Sequence, residues 1–110
     1  MNNYVLNEQG EPVAEPDVRK WGQWFERAER HVAEDHVNVA GEKVHVSTVF
    51  LGLDHNFYRG NVGQEGLPIL WETMIFGGEH DQWQARYSSR ADALAGHEHA
   101  LKIARGELRP

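Results

Sequence analysis

The segment from Ser89 to Gly106 is the strongest constraint on what this chain can fold into. Ser89 and Asp92 have the form of a capping box, "ADALAGHEHALKIAR" is rich in good helix formers, and Gly106 stands where a C-terminal cap belongs. The pattern predicts a helix over 90–105. On a helical wheel Ala93, Leu94, Ala100, Leu101 and Ala104 fall on one arc with His97 at its centre, while Asp92, His99 and Lys102 fall outside. A helix with one apolar side needs a second layer to cover it. His97 then faces that layer and needs a hydrogen-bond partner, because an unsatisfied buried polar group costs about 1–3 kcal/mol.

The second layer is written in the middle of the chain. "RHVAEDHVNV" alternates in character, Ala40-Gly41-Glu42 marks a turn, and "KVHVSTVFLGL" is enriched in the Val, Thr and Phe of a strand, so the two segments predict a hairpin. "DHNFYRGNVGQEG" follows as a glycine-rich loop, longer than the usual hairpin connection. "LPILWETMIF" is another strand ended by Gly77-Gly78, and "DQWQARYS" returns as a short further strand. Upstream, "DVRKWGQWFERAER" places Val18, Trp21, Trp24, Phe25 and Ala28 on one arc of a first helix, with Pro16 and Asp17 in its first turn. Residues 1–16 read as an N-terminal arm or a short edge strand. The expected fold is α+β, an antiparallel sheet of three to five strands with two helices packed on one face.

A chain of 110 residues fits a single domain, 1–110. Without cysteine it has no disulfide, no thiolate metal site and no cysteine nucleophile. Its 11 basic against 17 acidic residues, a formal charge of −6, argue against a nucleic-acid partner and leave a basic protein as the easier one. No apolar run approaches the roughly 18 residues that span a bilayer, and the first ten residues lack the basic and apolar blocks of a signal peptide. A cytoplasmic setting away from membranes is therefore expected.

Seven His residues raise the question of a metal. His97 and His99 lie about 200° apart on a helix and do not share an ion. In "ILWETMIF" the residues Leu70, Glu72, Met74 and Phe76 share a strand face, which sets one carboxylate among three large apolar groups. Where that face meets the helices, Glu72 and His97 form a buried polar pair; where it is open, Glu72 lies on a surface suited to docking. Asp54-His55 ends the strand that begins at Val46. Pairing of that strand with the next puts Val49 or Phe50 opposite Glu72, so Asp54-His55 lies about five residues further along, roughly 16 Å away. Asp54 is expected to cap the loop by accepting from backbone amides, with His55 as its anchor. Ser47 and Thr48 have no base at suggestive spacing, and no phosphate-binding or nucleophile-elbow pattern is present.

The blocks "YVLNEQGEPV", "WGQWFE", "VSTVFLGLDHNF", "LWETMIFGG", "RYSS" and "ALAGHE", in this order, resemble a family of short proteins encoded by bacteriophages and by bacterial genomes that carry prophages. The chain departs from that family's pattern by a longer loop after Phe57, by Trp71 where the family has Phe, and by "SSRADA" in place of STWEEA. The resemblance implies a setting, a small accessory protein of phage origin, and no reaction. The resulting expectation is a protein that acts in the host cytoplasm by protein–protein interaction, inhibiting a host factor such as a defence component. The alternatives are a small metal-dependent hydrolase using Asp54, His55, Glu72 and His97, and a virion or assembly component. No catalytic residue, metal or cofactor is assigned. Binding is placed on the loop at Asp54, His55, Asn56, Phe57, Tyr58 and Arg59, for a protein partner whose identity the sequence leaves open; a homodimer is a separate alternative.

Overall fold

In the computed structural model the described residues, 2–56 and 66–110, form six strands and two helices. Strand β1 (Tyr4–Leu6) pairs with β2 (Pro12–Ala14) in a small antiparallel hairpin. Here the arm read from sequence gains a second strand. The turn between them closes because Asn7 Oδ1 accepts from the amides of Gln9 and Glu11, and Pro12 is tolerated because this strand is an edge. Helix α1 (Val18–Arg27) follows, then β3 (His31–Val39), β4 (Glu42–Phe50), β5 (Trp71–Phe76), β6 (Gln84–Tyr87) and helix α2 (Arg90–Ala104). The last four strands make one antiparallel sheet in the order β3-β4-β5-β6, each next to its sequence neighbour. The class is α+β.

Alternation along the strands decides which side of this sheet is covered. Val44, Val46, Thr48 and Phe50 of β4 and Trp71, Thr73 and Ile75 of β5 are buried. The ladder sets them side by side as Val46–Ile75, Thr48–Thr73 and Phe50–Trp71. Helix α2 lies on them with Ala93, His97, Ala100, Leu101, Ile103 and Ala104. Two apolar clusters result, one around Val46, Ile75 and Leu101, the other around Phe50, Leu70, Trp71 and Ala93. Leu94, expected on the covered arc, is 36% exposed, while Ile103 is fully buried. The helix is rolled so that its Gly96 side meets Tyr87.

Helix α1 is shorter than the sequence pattern suggests. Asp17 caps it by accepting from the amides of Arg19 and Lys20, but the chain leaves helical geometry at Ala28. The reason is tertiary: Arg30 already belongs to the sheet, its carbonyl accepting from the Phe50 amide and its guanidinium donating to the Phe50 carbonyl. Val18 is exposed, so the inward side of α1 is Trp21, Trp24 and Phe25. Trp24 meets Phe50 edge to face, with centroids 5.9 Å apart, which puts α1 against the same core face as α2. Trp21 Nε1 donates to the carbonyls of Tyr4 and Gly52, tying the hairpin to the end of β4. At Gly52 the backbone has φ +77° and a Cβ would meet the Phe25 ring at 3.1 Å, so this turn requires glycine.

Candidate functional site

The root of the long loop is built as the sequence suggests. Asp54 is 4% exposed. Its Oδ1 accepts from the amides of Asn56 and Ile69 at 2.8 and 2.9 Å, so one carboxylate holds both ends of the loop together. His55 Nδ1 donates to the Leu53 carbonyl, and the Asn56 side-chain amide donates to the Leu67 carbonyl. Phe57, Tyr58 and Arg59 lie outside the described residues.

Glu72 and His97 do not form a pair. Glu72 lies on the face of β5 opposite the helices, where its Oε2 accepts from Arg86 Nε at 2.8 Å across the β5–β6 ladder. His97 is 1% exposed on the other side of the sheet. The covered face of β5 is Trp71, Thr73 and Ile75, which leaves Glu72, Met74 and Phe76 outward. The set Asp54, His55, Glu72 and His97 is therefore divided between the loop root and the two faces.

The partners of His97 are instead Thr48 and Asp35. Its Nδ1 is 2.7 Å from Thr48 Oγ1, and its Nε2 is 2.7 Å from Asp35 Oδ2 on β3. Thr48 Oγ1 is in turn 2.6 Å from Thr73 Oγ1. A carboxylate only accepts, so Nε2 carries a proton and donates to Asp35, while Nδ1 shares a hydrogen bond with the Thr48 hydroxyl. The order carboxylate, imidazole, hydroxyl is that of a nucleophilic triad, but Thr48 is 0% exposed and no substrate reaches it. These groups stitch β3, β4, β5 and α2 together between the two apolar clusters. Tyr87 lies beyond Thr73. Its hydroxyl has no hydrogen-bond partner among the described residues, and burial raises its pKa.

The open face of the sheet carries a second polar group. Glu34 and His36 stand two apart on β3, and His45 lies directly opposite His36 on β4. His45 Nε2 is 2.8 Å from Glu34 Oε1. The two imidazoles are stacked, with centroids 4.3 Å apart and planes 2° from parallel. One ligand atom from each of the three residues lies within 4.8 Å of the others. Phe76, 39% exposed, closes one side of the group with its ring centroid 5.7 Å from that of His45. This constellation was not read from sequence, although the hairpin turn held the signal. A two-residue turn at Ala40-Gly41 pairs Val39 with Glu42 and, by counting back, His36 with His45.

Fold and faces together define an α+β domain: a four-stranded meander that, among the described residues, is covered by helices on one side only. No helix among the described residues is long and apolar enough to cross a membrane. No protein-family model matches the chain, and neither the curated proteins nor the solved structures contain a match to it.

Proposed function

We propose that this chain is a small phage-type accessory protein that acts in the host cytoplasm by binding another protein, a basic host factor, through the open face of its sheet. Inhibition of that factor, such as a component of host defence, is the consequence of binding. One observation carries the reading: the face away from the helices presents Phe76, 39% exposed, beside Met74 and the His36–His45 stack. An exposed aromatic flanked by polar groups that hydrogen-bond is the composition of a contact surface. The formal charge of −6 favours a basic partner through long-range steering. The phage setting comes from the resemblance of the sequence blocks.

A photocrosslinking residue at position 76, with position 94 on the outer side of α2 as control, tests the surface in lysate of a phage-susceptible bacterium. The expected result is an adduct with one basic protein from position 76 and none from position 94. That protein, purified, then binds the chain directly, with an affinity lowered by Phe76→Ser and by added salt. An adduct with a second copy of the chain, or equal labelling from both positions, overturns the proposal.

A further inference from the structure

We propose that Glu34, His36 and His45 form a binding site for a divalent transition-metal ion, Zn2+ in the first instance. This goes beyond the docking reading and does not depend on it.

The donor set has the right chemistry. Two imidazoles and one carboxylate suit Zn2+, Cu2+ or Ni2+, whereas Mg2+ and Ca2+ prefer sites made of oxygen alone. Three protein ligands leave a coordination position for water or for an incoming group.

The backbone places these donors together before any ion arrives. His36 and His45 are directly opposed across the β3–β4 ladder, and Glu34 shares their face one pleat away. A tetrahedral ion with bonds of about 2.0–2.2 Å sets its ligand atoms about 3.3–3.6 Å apart. The present separations are close to that range: 2.8 Å between Glu34 and His45, and no more than 4.8 Å between any two of the ligand atoms. Only side-chain torsions have to change. With the rings 2° from parallel, their in-plane lone pairs do not yet converge, so one imidazole turns about χ2, a broad and soft torsion. Glu34 and His36 are exposed and His45 is half-buried, so an ion enters without opening the fold. Phe76 forms an apolar wall beside His45, which excludes water from one side of the site.

Isothermal titration of the chelator-treated chain with ZnCl2 tests the proposal, with CoCl2 absorption as an independent report on coordination number. Wild type is expected to bind one ion and to give the intense visible bands of four- or five-coordinate Co2+. His36→Asn, His45→Asn and Glu34→Gln each weaken binding by more than about tenfold, the least that losing even a supporting partner of a ligand costs. His80→Asn and His99→Asn leave the affinity unchanged. His36 is exposed, so His36→Asn retains the fold and is the decisive variant; its unfolding curve without metal matches wild type, while the Zn2+-induced rise in Tm is lost. Absence of saturable binding overturns the proposal, as does binding that survives His36→Asn or falls equally in the two controls.

Discussion

Thr48 Oγ1 lies 2.7 Å from Nδ1 of His97, joining the middle of the sheet to the middle of α2. Both groups are buried, so water does not replace the bond when it is lost. Thr48→Val keeps the shape and leaves the imidazole nitrogen unsatisfied, which costs about 1–3 kcal/mol. Thr48→Ser keeps the hydroxyl and loses a methyl group, a cost of about 1 kcal/mol. Urea unfolding should give the order wild type, Ser, Val, with a constant m-value. Equal stability of the Val variant and wild type would remove the chain of hydrogen bonds from this account.

Tyr87 makes stability depend on alkaline pH. Burial raises its pKa above the ordinary 10.0, so the folded state keeps the phenolic proton where the unfolded state has begun to release it. The stabilisation from neutral Tyr87 is therefore complete below pH 10 and declines as pH rises through the higher folded value. The difference in urea midpoint between wild type and Tyr87→Phe should be flat to about pH 10 and should then turn further against wild type. Near neutral pH the substitution should raise stability by about 1–3 kcal/mol, because it removes a buried hydroxyl that has no hydrogen-bond partner among the described residues. A difference that stays constant across the alkaline range would contradict the burial of this group.

Gly96 looks like an easy site to stabilise, since Ala in place of Gly inside a helix ordinarily gains about 1 kcal/mol. The packing reverses the sign. A Cβ at this position would overlap the Tyr87 ring and hydroxyl, and relieving it means moving the helix off the sheet. Overpacking of this kind costs about 1–3 kcal/mol, so Gly96→Ala should lower Tm despite its better propensity. A higher Tm would show that α2 has room to shift.

Much of the architecture is legible because each element carries its own local signal. The capped pattern of 90–105 depends on nothing distant, and α2 spans Arg90–Ala104. The opposition of Val49 and Glu72, one of two registers read from the strands, is present. What was not legible depended on knowing which face of a strand is covered. Leu70, Glu72, Met74 and Phe76 are more apolar by count than Trp71, Thr73 and Ile75, yet the second set is the core, and of the first only Leu70, which precedes β5 and does not share the outward face of Glu72, is buried. Thr73 is polar only until Thr48 bonds it, and those residues come from different strands. Asp35 stands 62 residues from His97, and no spacing rule connects them. Without register, the imidazole had no visible partner except the nearest carboxylate on a candidate core strand. Glu72 looked suitable because Arg86, its actual partner, sits on the next strand.

The β3–β4 turn offers a gain in stability that also tests the register of the histidine group. Ala40 and Gly41 have φ of +51° and +85°, and Val39 pairs with Glu42 across them, so both central residues are left-handed. That is a two-residue turn of the type that favours Asn-Gly. Gly41 meets the demand, whereas Ala40 holds a conformation unfavourable to its Cβ. Ala40 is exposed, so Asn adds no crowding in the core. Ala40→Asn should therefore raise stability by about 0.5–1 kcal/mol, and Ala40→Val, β-branched, should lower it. For a domain near this size the gain corresponds to a Tm rise of several degrees, about 4 °C or more per kcal/mol. The stack of His36 on His45 follows from the same turn, because a slip of one residue would send one imidazole to the covered face. In the Asn variant, NMR contacts between the two rings should persist while the unfolding curve moves to higher temperature. Loss of those contacts with unchanged stability would mean that a different turn sets the register.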